Sequence, residues 1–291
     1  MSANNILPAV EYRDMILDEY KKESISAKLD GDTKDLGSVL SPNEIKLKTI
    51  KTTSLGNYVR DQGHAAGQAT IGWETIKLEI DRGVKFLLDR VDSIETLSTA
   101  ITDLSKDFTD RQMVPEFDAF RFAKYATNAG TTTNATLNEN TILSAIDAAM
   151  LEMNNAYVPA EGRLLFVNGN LMPIINKAIP RQWSNEAGIN RSIQIYNGLE
   201  IVYVPDVRFN SSITLNPTSG DMGFTPDGNS INFLLLHPTA IWQAVKVSVP
   251  KYLSADDAAN PVDSHIFNIR IFHDAGVYKL REKGVYANIA A

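Results

Sequence analysis

The chain has 291 residues, enough to bury one large core or a main core with a satellite. It contains no cysteine, which excludes disulfides, zinc–thiolate sites and thiol catalysis. A formal charge of −7 argues against a wide basic face that grips nucleic acid, and no apolar run approaches the ~20 residues of a membrane-crossing helix.

Residues 1–10 lack the basic start and long apolar core of a secretion signal. Residues 10–30 read as a short amphipathic helix, with Tyr12, Ile16, Leu17, Tyr20 and Ile25 against a mixed-charge face. A turn-rich connector follows at 31–37, and residues 1–43 read as an arm because their apolar content is thin. From Glu44 the period changes to two. Ile45, Leu47 and Thr49 alternate with Lys46, Lys48 and Ile50, and later Ile76, Leu78 and Ile80 alternate with Lys77, Glu79 and Asp81. Between them lies a glycine-rich stretch at 54–72. The spacing predicts a β-ribbon with a loose tip, whose exposed edges invite pairing with another chain.

The next segment, 94–125, organises the rest. Ile94, Leu97, Ile101, Leu104 and Phe108 recur at helical spacing, with Asp103, Lys106, Asp107 and Asp110 turned away. Pro115 is expected to kink the helix or divide it into two coaxial pieces. Residues 45–90 hold eight Lys/Arg and five Asp/Glu, whereas 92–127 hold four and seven, so adjacent segments carry opposite charge.

A polar loop at 127–140 precedes a second helix at 141–155, with Ile142, Ile146, Ala149 and Met153 on its apolar stripe. Residues 163–167 form an apolar strand. Asn168 then caps a short helix carrying Ile174 and Ile175, with Pro173 in its first turn. Strands are expected at 200–204, 233–236, 244–249, 265–272, 277–280 and 285–289. Helices and strands mixed without βαβ repeats indicate an α+β fold.

Catalytic signatures are scarce. There is no phosphate loop, dinucleotide turn, nucleophile elbow or zinc-protease helix motif. The acidic stretch from Asp30 begins like a calcium loop, but Lys34 occupies a ligand position and Ser41 stands where the closing glutamate belongs. His64, His237, His265 and His273 read as histidines satisfied by backbone groups, not as catalysts. Arg90, Arg111, Arg121, Arg181 and Arg191 read as surface or interface groups. No catalytic residue, cofactor or metal is expected.

Several stretches, in order along nearly the whole chain, resemble the major capsid proteins of tailed double-stranded DNA bacteriophages, the Hong Kong 97 coat fold. They are Leu55-Gly56-Asn57-Tyr58, Trp73-Glu74-Thr75, the run from Val114-Pro115-Glu116-Phe117 to Phe122, the run from Val158-Pro159 to Phe166-Val167, Asn232-Phe233-Leu234-Leu235-Leu236-His237-Pro238, and Arg270-Ile271-Phe272-His273-Asp274 with Gly284-Val285-Tyr286-Ala287. The resemblance implies a shell subunit with an arm (1–43), an extended loop (44–91), a peripheral domain with a long spine helix (92–140 and 244–283) and an axial domain (141–243 and 284–291). It implies assembly with itself as hexamers and pentamers, a portal protein, and enclosed DNA bound without sequence specificity. No membrane is involved, and the expected location is the virion after assembly in the host cytoplasm. Some members begin with a cleavable scaffolding segment; this chain enters the arm almost at once, which implies a separate scaffolding protein or scaffold-free assembly. The same fold also serves encapsulin-like compartments that store an enzyme. Carried over, the extended loop places Lys46, Lys48, Arg60, Ile76, Lys77, Leu78, Ile80, Arg82 and Lys85 at intersubunit contacts, with Asp103, Asp107 and Asp110 of a neighbouring spine among the carboxylates they meet.

Overall fold

The computed structural model describes residues 9–29, 36–37, 44–58, 60–61, 64, 66–89, 97–178, 195–217, 223–247, 250–257 and 264–291. In chain order the helices are α1 (Ala9–Glu23), α2 (Leu97–Phe108), α3 (Val114–Thr127), α4 (Ile142–Asn155) and α5 (Met172–Ala178). The strands are β1 (Leu36–Gly37), β2 (Glu44–Thr52), β3 (Ala69–Lys77), β4 (Ile80–Asp89), β5 (Thr131–Asn134), β6 (Leu164–Asn168) and β7 (Ile195–Tyr196). They continue as β8 (Leu199–Val204), β9 (Asn210–Leu215), β10 (Phe224–Leu236), β11 (Ile241–Val247), β12 (Lys251–Leu253), β13 (Ser264–Val277) and β14 (Val285–Ile289). Among the described residues these strands make three sheets. One is a ribbon, β1-β2-β3. In the second, β13 carries β4 on one edge and β11 and β12 on the other. The largest is ordered β5-β14-β10-β6-β8-β7, with β9 hooked onto β10.

α3 passes between the cores of the two larger sheets, and every residue from Val114 to Ala126 except Lys124 is buried. Its N-terminal end, Val114 and Phe117, packs with Ile16, Tyr20, Phe267, Ile269 and Ile271. Its C-terminal end, Phe122, Tyr125 and Ala126, packs with Phe166, Phe209, Leu234 and Val285. α2 leads into it through a π turn, Thr109–Met113, so residues 97–127 form one helical run of roughly 46 Å at 1.5 Å per residue. The division expected at Pro115 falls just ahead of it, where the π turn separates α2 from α3. Met113 and Val114 keep helical dihedrals, and the Val114 N–H reaches back five residues to the Thr109 carbonyl. Pro115 has no N–H to return to the ladder, and the wider turn just ahead of it absorbs the misfit. On α2, Leu104 and Phe108 are half-buried while Asp103, Lys106 and Asp107 are exposed. Ile94, and the side chains of Leu97 and Ile101, lie outside the described residues.

Part of the N-terminal segment packs on the body of the chain. Ile16, Tyr20 and Leu29 are buried, and the short 3-10 turn Ile25–Leu29 is bound to α3 by a polar cluster. Asp118, wholly buried, accepts from the Ser24 hydroxyl at 2.7 Å and from the Ser26 and Ile25 N–H groups at 3.1 and 3.2 Å. Arg121 donates to the Tyr20 hydroxyl and to Ser26 Oγ at 2.8 Å. Arg121 is therefore an interior residue, not the surface or interface group expected. Arg111 is exposed, and Arg90, Arg181 and Arg191 lie outside the described residues.

The helices α4 and α5 form where the apolar spacing predicts them, with Pro173 in the first turn of α5 and Asn168 accepting from the Asn170 N–H just before it. The polar loop expected at 127–140 is partly a strand: β5 runs parallel to β14 at the sheet edge. The strands expected at 265–272 and 277–280 are one strand up to Val277, followed by a turn.

Candidate assembly surface

The ribbon projects its surface outward for a reason written in its register. Cross-strand partners share a face, and Lys46 opposes Thr75, Lys48 opposes Trp73 and Ile50 opposes Ile71. One face thus carries Ile50, Ile71 and Trp73, each 50–64% exposed, next to Lys46, Lys48 and Lys77. The opposite face begins with Ile45 against Ile76 and is anchored: Ile45, Leu78, Trp242 and Ala244 form a small buried cluster on which Ile76 packs. Covering the remaining half of Ile50, Ile71 and Trp73 would contribute about 1 kcal/mol each. At the tip Thr53 and Gln68 close the ladder, with the Thr53 N–H donating to the Gln68 carbonyl and the Gln68 N–H to Thr53 Oγ1. Leu55 and Tyr58 stand exposed beyond them, with Tyr58 against His64.

Several residues expected at intersubunit contacts serve the chain itself. Leu78 is 4% exposed and lies in the anchoring cluster. It sits at the bend between β3 and β4, so the alternation through Ile80 is not one strand; β4 leaves the ribbon and pairs with β13, with Ile80 opposite His273. Arg82, on β4, is engaged within the chain. Its Nε and Nη2 donate to the two carboxylate oxygens of Glu116 at 2.9 and 3.1 Å, Nη1 to the Asn216 carbonyl at 2.6 Å, and Nη2 also to the Gly223 carbonyl at 3.0 Å. Burial raises the Glu116 pKa, and Arg82 opposes that shift. Lys77, Lys85 and Arg60 are exposed, and Lys46 and Lys48 are half-covered.

The three aspartates do not form one solvated face. Asp103 and Asp107 are exposed, and Asp107 pairs with Arg111 at 2.8 Å. Asp110 lies in the π turn, where the helical phase slips, and is turned towards Glu19 and Glu23 of α1. Its Oδ1 is buried without a hydrogen bond, and burial first, then those two glutamates, raises its pKa.

Between the ribbon root and the turn after β13 lies a groove of 510 Å³. Its lining includes Ile50, Ile76 and Trp242, and five cations (Lys48, Lys77, Lys124, Lys279 and Arg281) outnumber the carboxylates of Glu74, Glu79 and Asp274.

The histidines are placed differently from one another. His237 caps a short turn, with Nδ1 against Thr239 Oγ1 at 2.7 Å and Nε2 against the Glu161 carbonyl at 3.1 Å. His265 Nδ1 meets the Tyr252 hydroxyl at 2.7 Å. His273 departs from the expectation of backbone partners: it is wholly buried, its ring lies 4.0 Å from that of Phe117, and neither ring nitrogen has a hydrogen bond. Burial, then Arg121 and Arg82, depress its pKa well below 6.5. A neutral, inaccessible imidazole on an aromatic ring is core material rather than a general base.

No protein-family model and no curated protein sequence matches the chain. Solved structures do. A protein of Mycobacterium phage Che8 is 17% identical, with a TM-score of 0.58 over 91% of this chain and 90% of that one. The capsid structure of the cyanophage P-SCSP1u is 13% identical, with a TM-score of 0.63 over 92% and 88%. A virus-like particle from Pyrococcus furiosus is 10% identical, with a TM-score of 0.51 over 96% and 98%. The fold is the α+β phage coat fold that the sequence resemblance implies.

Proposed function

We propose that this chain is the major capsid protein of a tailed bacteriophage, a structural subunit that assembles with itself into the icosahedral shell around double-stranded DNA. The observation that carries the reading is a coat fold matched over 91–92% of the chain, joined to a ribbon whose apolar, lysine-flanked face is half-bare in the single subunit. Beyond the short β1 the ribbon is only the β2-β3 pair, an arrangement marginal alone in water, and a neighbour supplies the missing cover. Under this reading the extended loop is residues 44–79 rather than 44–91, because β4 belongs to the sheet of β13. Lys46, Lys48, Arg60, Lys77 and Lys85 face carboxylates of adjacent subunits, among them Asp103 and Asp107. The peripheral part is the helical run with the β13 sheet, and the axial part is α4, α5 and the sheet around β10. Hexamers and pentamers, a portal protein, a separate scaffold, and a virion assembled in the host cytoplasm belong to the same proposal. The net charge of −7 fits a wall that encloses DNA without binding its sequence.

A compartment that stores a protein cargo is the second reading, favoured by the near-complete coverage of the Pyrococcus furiosus particle at a lower TM-score. Light scattering of the purified chain tests the shared claim. Large particles, formed alone or with a scaffold, are expected, and a chain that stays monomeric under all such conditions contradicts it. Nuclease-protected DNA in particles from infected cells favours the virion; a co-purifying enzyme favours the compartment.

A further inference from the structure

Tyr157, just past the end of α4, is 95% exposed and stands at φ +57°, the left-handed region that bulky residues rarely adopt. The conformation is built, not incidental. Arg163, only 4% exposed, donates from Nε to the Pro159 carbonyl at 2.8 Å and from Nη2 to the Val158 carbonyl at 2.6 Å and Asn154 Oδ1 at 2.8 Å. The Tyr157 N–H donates to the Asn154 carbonyl and the Val158 N–H to that of Met153, both at 3.0 Å. A buried cation thus holds a strained turn that pushes an aromatic ring into water. The two backbone bonds are the cap that closes α4 with one left-handed residue, a place glycine or asparagine ordinarily takes; a tyrosine there, its ring in water on a turn fixed by a buried cation, is a low-entropy anchor for a contact outside the subunit.

The surroundings select the partner. Between Lys124 and Arg163 the sequence has no lysine or arginine, but it has Glu139, Asp147, Glu152 and Glu161. On α4 itself Leu151 is 61% exposed. The complementary surface is on the same chain: the groove at the ribbon root, lined by more cations than carboxylates and by Ile76, Trp242 and Leu280, the last 58% exposed. We propose that Tyr157 of one copy docks into the ribbon-root groove of the next, with Glu152 and Glu161 meeting Lys77, Lys279 and Arg281. The two surfaces differ, so the contact is head-to-tail, the kind that closes into rings. The inference rests on the shell reading and names one contact within it.

The absence of cysteine gives a clean background for crosslinking. The full chain carrying Tyr157→Cys and Lys279→Cys is assembled, treated with a short bismaleimide and run on a denaturing gel. A ladder of covalent multimers is expected, with no ladder from either single variant. Particles that form without a ladder, or dimers from Tyr157→Cys alone, overturn the docking while leaving the shell reading intact. Wild-type chain that never assembles overturns both. Tyr157→Asn provides a second readout, because asparagine tolerates the left-handed region. Its melting temperature should be no lower than wild type, while assembly needs a roughly tenfold higher concentration. Unchanged assembly of that variant would also overturn the docking.

Discussion

Replacing Arg82 with alanine removes the four hydrogen bonds that tie β4 to α3 and to the segment around Asn216 and Gly223. Glu116, whose side chain is 9% exposed beside Arg82, loses that counterion. Breaking a buried ion pair from one side costs about 3–5 kcal/mol. Arg82 keeps 27% of its side chain in water, so the lower end, about 3 kcal/mol, applies near neutral pH. At about 2–4 °C per kcal/mol, the melting temperature should fall by roughly 6–12 °C. The loss should depend on pH. Burial already raises the Glu116 pKa, and without Arg82 it rises further, so the carboxyl escapes its penalty by protonating as pH falls. Thermal unfolding of the unassembled chain, followed by circular dichroism at about pH 8 and about pH 5, should show a smaller loss at the lower pH. Glu116→Gln in the Arg82→Ala background should recover part of the loss at pH 8. A loss no greater than that of the exposed-site variant Lys85→Ala would refute the argument. A loss confined to assembled particles would return Arg82 to an intersubunit role.

His273 should make the subunit less stable in mild acid. Its folded pKa lies well below the ordinary 6.5, so below that value the unfolded chain binds a proton that the folded chain does not. Stability then falls with pH by up to about 1.4 kcal/mol per unit. The fixed charges acting on His273 are Arg121 and Arg82. Glu116 and Asp274, raised by burial, contribute the opposite slope, from ordinary values of 4.5 and 3.8. Urea titrations should show the slope flattened in His273→Leu between about pH 6.5 and pH 5, and an unchanged slope would rule the histidine out. Leu78→Ala should cost about 2–5 kcal/mol in the unassembled chain, read from the shift in urea midpoint; a cost below 1 kcal/mol, about that of a surface change, would mean that the ribbon root is not anchored. Trp73→Ala should leave that midpoint nearly unchanged but lower the yield of particles in light scattering, and equal yield would remove the ribbon face from the assembly surface.

What the sequence made legible was local. The apolar spacing of α4 survives because Ile142, Ile146, Ala149 and Met153 face one core, and the proline signal at 173 falls in a first turn, where its missing N–H does no harm. What it concealed depends on distant partners. β5 is a run of threonines whose strand character comes from β14, about 150 residues away, and β9 alternates around serines and threonines against β10. The two-residue period runs unbroken from Ile76 to Ile80, although the chain changes sheets at Leu78. Nor did the charge pattern separate Arg82 and Arg121, held inside the subunit, from Lys77 and Lys85 on its surface. The anchoring of the ribbon by Trp242 and the exposure of Tyr157 become visible only in three dimensions.

On the proposed reading the ribbon is completed by a neighbouring subunit. Cryo-electron microscopy of particles assembled from the purified full chain tests it most directly. The claim predicts closed shells in which residues 44–79 lie across an adjacent subunit, with Ile50, Ile71 and Trp73 covered. Shells in which that face is open to solvent, or no shells in any condition with or without a scaffold, would contradict it.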